Sequence, residues 1–294
     1  MTVHNNVTDT ALIFEGGGMR ASYTSAVVST LLRNDIYLDW VGGISAGSSN
    51  TLNYVSRDVR RSRLSFTDFA ADPNFGSMRT FIRGKGLFNA EYIYQQTAGP
   101  GQALPFDMET FLANPAQVRI GGFNAVTGET VYWGRDDLGT TPEITIRVQA
   151  SSTMPGLMPI VTIDGEQWVD GAVGSSGGVA LEAAEADGYS RFLVILTRPR
   201  DYWKLPPRNP RFIDRAFRKY PAVAEALLTR AERYNETKER LLALEEEGRA
   251  VLFFPENMTV SSTERNISKL RASYIAGLEQ AQRELPHWRE FVGL

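Results

Sequence analysis

Ala11-Leu-Ile-Phe-Glu-Gly-Gly-Gly-Met-Arg20 begins as a continuous apolar run and stops at three glycines. Such a run is typical of a strand buried on both faces of a parallel sheet. Beyond the glycines, Met19, Tyr23, Val27 and Leu31 recur at helical spacing. The stretch therefore predicts a strand, a glycine turn and a helix in direct succession.

The same unit then repeats. Residues 40–44 (Trp-Val-Gly-Gly-Ile) predict a strand, Ser45 occupies the turn, and residues 46–57 predict a helix. Two such units near the start of the chain predict an α/β layered fold. Further strands are predicted at 117–123, 129–134, 161–163, 167–169, 192–196 and 251–254, and late helices at about 222–248 and 263–284.

The domain organisation follows from length and from a proline-rich joint. A chain of 294 residues suits one large domain with a C-terminal extension. The joint at 199–210 divides a predicted catalytic domain, 1–200, from a mainly helical extension, 201–294, packed on the same sheet. Within the first part, Thr141-Pro142 favours a helix start, although the residues after it alternate as in a strand.

Composition excludes several classes of function. With 31 Lys+Arg against 34 Asp+Glu, the net charge of −3 argues against nucleic-acid binding. The absence of cysteine excludes disulfides, thiol catalysis and Cys-ligated metals. Only His4 and His287 remain as imidazoles, so we expect no metal and no cofactor. No membrane-span-length apolar run and no secretory signal are evident, so we expect a soluble, cytoplasmic protein.

Residues 43–47, Gly-Ile-Ser-Ala-Gly, fit the G-x-S-x-G pattern of a nucleophile elbow. An elbow needs a strained turn from strand to helix, flanked by glycines, with the serine hydroxyl exposed. The predicted strand before Ser45 and the helix after it supply that context. The alternative is a Gly/Ser-rich turn that carries no chemistry.

Gly16, Gly17 and Gly18 precede a predicted helix and expose backbone N–H groups. Such a turn suits a phosphate or the oxyanion of a tetrahedral intermediate. A dinucleotide fingerprint competes, because Gly16-x-Gly18-x-x-Ala21 satisfies G-x-G-x-x-G/A. That reading needs an acidic residue at the end of the second strand, but Asp39 lies before it. The nucleotide hypothesis is therefore disfavoured.

Asp170-Gly171 delivers a carboxylate at a predicted strand end. Together with residues 15–20 (EGGGMR) and 43–47 (GISAG), the DGA stretch at 170–172 resembles the patatin-like phospholipases, particularly their bacterial branch. The resemblance continues through 150–156, 196–199 and 253–255 and so covers nearly the whole chain.

This resemblance implies a three-layer α/β/α sandwich that hydrolyses lipid acyl esters, as a phospholipase A, lysophospholipase or carboxylesterase, without a metal. By position in the family's motifs, the resemblance implies that Ser45 is the nucleophile and Asp170 the general base. It also implies that Gly17 and Gly18, with Gly16 nearby, form the oxyanion hole. Arg20 would support this loop or a substrate phosphate. The substrate would be a phospholipid or another acyl ester. One departure follows the DGA motif: residues 173–178 read Val-Gly-Ser-Ser-Gly-Gly where relatives commonly carry an acidic, proline-containing segment.

Two other classes of function remain open. A conventional Ser–His–Asp hydrolase is allowed by the chain order Ser45, Asp170, His287. A non-catalytic, nucleotide-binding α/β domain would use only the glycine turn. His287 lies beside a late predicted helix and not just after a core strand, so the carboxylate base is favoured over the triad.

Residues 57–88 combine seven basic side chains with interleaved phenylalanines. One interpretation is a cap that makes transient contact with an anionic membrane surface, which would make the protein peripheral at the membrane. The other is a solvated basic face above ordinary core aromatics, and it is favoured because charge runs are usually solvated.

Overall fold

A mixed eight-stranded sheet lies at the centre of the computed structural model, which describes residues 3–294. The strands within that range are β1 (Val7–Phe14), β2 (Leu38–Ile44), β3 (Gln117–Asn124), β4 (Thr130–Trp133), β5 (Val161–Ile163), β6 (Glu166–Asp170), β7 (Phe192–Ile195) and β8 (Ala250–Phe253). Their order is β5-β6-β3-β2-β1-β7-β8, and β4 pairs with β3. Strands β3, β2, β1, β7 and β8 run parallel, whereas β4, β5 and β6 pair antiparallel.

Helices cover both faces of this sheet. In residues 3–294 they are α1 (Ala21–Arg33), α2 (Ala46–Val55), α3 (Val59–Phe66), α4 (Met78–Ile82), α5 (Met108–Ala113), α6 (Thr141–Ser151), α7 (Leu181–Ala186), α8 (Pro210–Ala216), α9 (Pro221–Glu246) and α10 (Ile267–Val292). Along β1, Leu12 and Phe14 pack with α1, α2 and α10, while Ala11 and Ile13 pack with α7 and α9. This alternation gives the three-layer α/β/α architecture, and the predicted fold class is confirmed.

The two strand–turn–helix units form as the sequence predicts, and their strands lie side by side. β1 and β2 pair in parallel, so the turns after Phe14 and Ile44 meet at the same edge of the sheet. The ambiguous stretch after Thr140 is the helix α6, whose N-cap Thr140 accepts a hydrogen bond from the backbone of Glu143. Capping and the proline at the helix start outweigh the apolar alternation there.

The segment between α2 and β3 packs over the edge of the sheet where β2 ends. Phe66, Phe69, Phe75 and Phe88 of this segment are buried in one cluster with Met19 and Ala46. Its basic residues divide into two groups. Arg57 and Arg61 are folded into the protein by hydrogen bonds, whereas Arg60, Arg63, Arg79, Arg83 and Lys85 are exposed. The expected solvated basic face thus applies to the second group alone.

Candidate active site

Ser45 sits on a strained turn between β2 and α2. Its φ of 57° and ψ of −126° lie outside the regions that side-chain-bearing residues prefer. The flanking glycines are required by space, because a Cβ on Gly43 would meet the carbonyl of Gly47 and a Cβ on Gly47 would meet that of Phe14. The G-x-S-x-G spacing therefore produces the elbow geometry that the sequence predicts.

A second serine braces this elbow. The Ser151 hydroxyl accepts a hydrogen bond from the Ser45 backbone N–H at 2.9 Å and donates to the carbonyl of Gly121 at 2.6 Å. It thereby ties the turn at Ser45 to α6 and β3. Sequence reasoning did not single out Ser151, because its partners lie 106 and 30 residues away.

The Ser45 hydroxyl donates a hydrogen bond of 2.8 Å to Oδ2 of Asp170. The other carboxylate oxygen, Oδ1, accepts from the backbone N–H of Ala172 at 2.9 Å, which fixes the orientation of the carboxylate. Asp170 is the last residue of β6, and Gly171 beside it is needed because a Cβ would meet the carbonyl of Gly121. Both side chains are buried, at 6% and 5% exposure. The structure thus brings together the two residues singled out as nucleophile and base.

Burial raises the pKa of Asp170 above its ordinary range. The Ala172 N–H, the positive charge of Arg230 and the Ser45 hydroxyl oppose that shift. A raised pKa brings the carboxylate closer to the value that suits a general base at neutral pH. Arg230 belongs to α9, and its Nε donates to the carbonyl of Ala172 at 2.7 Å. This arginine was not predicted, since nothing near it in sequence marks it.

The three glycines after β1 differ in what their N–H groups do. The Gly16 N–H donates to the carbonyl of Gly178 at 3.0 Å, so it is already occupied. Within residues 3–294, the N–H groups of Gly17 and Gly18 have no acceptor. Gly18 has a φ of 56°, a conformation that glycine adopts without strain. Of the glycines expected to form an oxyanion hole, Gly16 is thus a spacer, and Gly17 and Gly18 are the available donors.

Arg20 lies beneath the glycine turn. Its side chain is 9% exposed, and Nη2 approaches the Thr197 hydroxyl at 3.5 Å. The Thr197 hydroxyl in turn lies 3.0 Å from Glu15 Oε2 and 3.1 Å from the Gly16 carbonyl oxygen, and its one proton is shared between these two acceptors. Burial and the neighbouring Arg198 lower the pKa of Arg20 to about 10, and Glu15 opposes this. This position suits support of the loop, and Arg20 is absent from the described residues that line the cavity beside Ser45.

A narrow, largely apolar cavity opens beside Ser45. Its free volume is ≈ 80 Å³, several times the roughly 10–15 Å³ that one water-sized sphere needs. Besides Ser45 it is lined by Gly18, Met19, Ala46, Ser49, Arg61, Ser65, Phe66, Phe69, Phe75, Phe88, Ile93, Tyr94, Leu104, Ser152, Met154 and Met158. The phenylalanines from the segment after α2 therefore form the wall of the candidate site as well as a packed cluster.

The two histidines are not brought to Ser45. His4 and His287 are exposed, and His287 lies on α10. Because the Ser45 hydroxyl bonds directly to the carboxylate, no imidazole stands between them. Within residues 3–294, no three His, Asp or Glu side chains form a group that suits a metal ion. None of the helices in that range has both the length and the apolar character needed to cross a bilayer.

The chain is similar to two known proteins. The uncharacterized protein YjjU of Escherichia coli (strain K12) is 25% identical over 205 residues, which cover 67% of this chain and 54% of that protein. The chain therefore spans about half the length of that relative. A crystal structure of VipD from Legionella pneumophila aligns with 94% of this chain and 67% of its own, at 12% identity and a TM-score of 0.45.

Two family models match separate parts of the chain. Residues 220–293 match a domain of unknown function, DUF6363. Residues 12–182 match the patatin-like phospholipase model, which includes the glycine turn, the elbow and Asp170. That match covers more than half of the 294 residues, so the chain belongs to the patatin-like phospholipase family.

Proposed function

We propose that this protein is a serine hydrolase that cleaves the acyl esters of phospholipids or related lipids. Ser45 is the nucleophile, Asp170 is the general base, and the N–H groups of Gly17 and Gly18 form the oxyanion hole. The observation that carries the proposal is the 2.8 Å hydrogen bond from the Ser45 hydroxyl to a buried carboxylate. A serine hydroxyl is a weak nucleophile until a base takes its proton, and this contact supplies the base.

The proposed reaction has two halves. Ser45 Oγ attacks the ester carbonyl carbon while its proton passes to Asp170, and the oxyanion that forms accepts hydrogen bonds from Gly17 and Gly18. Collapse breaks the bond to the alcohol, which leaves with the proton from Asp170. Water then attacks the acyl-enzyme and gives one proton to Asp170, which returns it to Ser45 as the fatty acid departs.

A direct test uses mixed phospholipid vesicles followed by lipid mass spectrometry. The wild-type protein is expected to release fatty acid and lysolipid, and Ser45→Ala is expected to release neither above background. A fluorophosphonate probe should label the wild type at Ser45 and leave Ser45→Ala unlabelled. An unlabelled wild type that also spares p-nitrophenyl esters and lipids would refute the proposed function.

The same proposal includes a transient contact with anionic membranes, which we place on a protruding segment, 76–88. The segment leaves the cavity wall after Phe75 and returns to it at Phe88, and the ring centroids of these two residues are 5.5 Å apart. Its tip exposes apolar side chains of α4, with Ile82 at 80% and Met78 at 62%. Exposed basic residues stand beside them, namely Arg79, Arg83 and Lys85. Apolar and basic side chains side by side are typical of interfacial membrane contact.

Charge reversal at the tip separates this contact from catalysis. The double variant Arg79→Glu/Arg83→Glu is expected to weaken binding to anionic vesicles by about tenfold or more, since each basic residue near such a surface contributes ~1 kcal/mol. Turnover of a water-soluble ester should persist. Arg60→Glu/Arg63→Glu, on α3, is the matched control, because it changes the charge equally. Equal binding by both variants would contradict the assignment of the contact to 76–88.

A further inference from the structure

Arg61 is a half-buried cation in the wall of an otherwise mainly apolar cavity. It lies on α3 and shares the cavity with the nucleophile Ser45. Its Nη1 donates to Asn53 Oδ1 at 2.5 Å, and its Nε donates to the carbonyl of Leu104 at 3.3 Å. The guanidinium carbon stands 5.3 Å from the ring centroid of Phe106. These contacts hold the guanidinium in place.

No carboxylate neutralises this guanidinium. In the part of the chain that the structure describes, no Asp or Glu oxygen lies within 4.0 Å of it. Asp58 is near, but its Oδ1 accepts from the backbone N–H of Arg61 as the N-cap of α3. Burial lowers the pKa of Arg61 to about 10, and electrostatic attraction to Asp58 and Tyr94 opposes this shift. Charges that are withdrawn from water in proteins are usually paired, so an anionic group of a ligand would complete this half-buried site.

The position of Arg61 relative to the nucleophile follows from α2. Ser45 caps the start of this helix, Ser49 lies one turn further and also lines the cavity, and Asn53 lies one turn beyond that. At 1.5 Å per residue, Asn53 is about 12 Å from Ser45 along the helix axis. Because Arg61 is bonded to Asn53, its guanidinium lies beside α2 about two helical turns beyond Ser45.

We propose that the cavity accepts an acyl chain that ends in a carboxylate, with the ester carbonyl at Ser45 and the terminal carboxylate at Arg61. This rests on the proposed ester hydrolysis and names its substrate class: half-esters of dicarboxylic acids, or lipids whose acyl chains have been shortened oxidatively to a carboxylate end. The phenylalanine walls would contact the methylene groups between the two ends. Among residues 3–294, Nη2 of Arg61 has no hydrogen-bond acceptor, so it is left to bind the carboxylate.

The experiment compares matched pairs of p-nitrophenyl esters. In each pair, one ester has a plain acyl chain and the other has the same chain with a terminal carboxylate, from adipate through dodecanedioate. The measured quantity is the ratio of kcat/KM for the carboxylated ester to that for the plain ester. For the wild type we expect this ratio to exceed one at a single intermediate length. Arg61→Met should lower it by roughly 10- to 100-fold, the range for a lost hydrogen bond to a charged group, and Arg61→Lys should keep most of it.

Several outcomes would overturn the proposal. A wild-type ratio below one at every length would do so without any variant, and so would an unchanged ratio in a folded Arg61→Met protein. Inhibition of the wild type by suberate must exceed inhibition by octanoate. An octanoyl ester of p-hydroxybenzoate carries its carboxylate on the alcohol and not on the acyl chain. If Arg61→Met lowers the turnover of this ester more than the turnover of the acyl half-esters, the anion belongs to the head group and the proposal is wrong. Failure to hydrolyse the plain esters would instead refute the proposed function itself.

Discussion

Replacing Gly17 by alanine will displace the turn that carries the proposed oxyanion donors. A Cβ built on Gly17 lies 2.7–2.8 Å from three side-chain atoms of Thr197, whereas ordinary contacts begin at 3.4 Å, so a shift of about 0.6 Å is required. Thr197 is poorly able to give way, because its hydroxyl is bonded to Glu15 and to the carbonyl of Gly16. The glycine turn itself is therefore expected to move.

The size of that movement sets the size of the effect. An oxyanion donor works when it lies about 2.7–3.1 Å from the developing negative charge. A displacement of about 0.6 Å exceeds that window, so at least one of the Gly17 and Gly18 donors is lost. Loss of one such donor typically costs 10²- to 10³-fold in kcat. We expect that loss in Gly17→Ala with little change in KM, because the donors act on the transition state.

The assay is steady-state hydrolysis of p-nitrophenyl octanoate by purified variants. Gly139→Ala is the matched control, because its Cβ would meet only the end of the Glu143 side chain, at 3.4 Å. Circular dichroism and thermal unfolding establish that both variants are folded. A folded Gly17→Ala protein with kcat within about threefold of the wild type would mean that the oxyanion donors lie elsewhere.

Asp170→Asn should lower kcat by about 10²- to 10⁴-fold, the usual contribution of a general base. The double variant His4→Ala/His287→Ala should keep most of the activity. The opposite pattern would favour a Ser–His–Asp triad. Because burial raises the pKa of Asp170, the base is ionised only above that raised value, so kcat/KM should fall on acidification at a higher pH than an ordinary aspartate would give. A pH–rate profile measures this, and an acid limb at or below the ordinary pKa of Asp would contradict it. Ser151→Ala leaves two buried backbone groups without their partner, so it should destabilise the fold by about 1–3 kcal/mol. Denaturant unfolding measures that cost, and a loss below about 0.5 kcal/mol would show that Ser151 does not brace the elbow.

The sequence was most informative where local geometry decides the structure. The elbow at Ser45 depends on a strand, a tight turn and a helix that are adjacent in the chain, and on Gly43 and Gly47 being free of side chains. Each of these requirements leaves a residue-type signature within a few positions. The same holds for Asp170, which ends a strand beside a glycine. Local rules and the resemblance therefore identified both members of the pair.

Residues that act through distant contacts leave no such signature. Ser151 reaches the Ser45 backbone across 106 residues, and Arg230 reaches the Ala172 carbonyl across 58. A serine in a helix and an arginine in a charged helix look the same in sequence whether or not they serve a site. Only the folded arrangement of α6 and α9 around β6 distinguishes them.

The basic segment after α2 shows the same limit. The predicted helix 46–57 ends earlier, at Val55, because Arg57 adopts a φ of 57° and stacks 3.3 Å from the ring centroid of Tyr37. Arg61, counted with its neighbours as surface charge, is half-buried and bonded to Asn53 and to the carbonyl of Leu104. A charge run therefore gives the number of cations but not their environment.

The glycine-rich stretch after Asp170 connects the C-terminal region to the candidate site through direct contacts. Gly178 accepts the N–H of Gly16, so this stretch holds one end of the proposed oxyanion turn. Gly177 has a φ of 65°, and a Cβ there would lie 2.6 Å from Cα of Tyr234 on α9, so only glycine allows the helix to pack this closely. With Arg230 bonded to Ala172, α9 holds the loop that follows Asp170, the proposed general base. Contacts therefore cross the boundary predicted near residue 200. The stretch 173–178, where the sequence departs from the family pattern, is the stretch against which α9 packs.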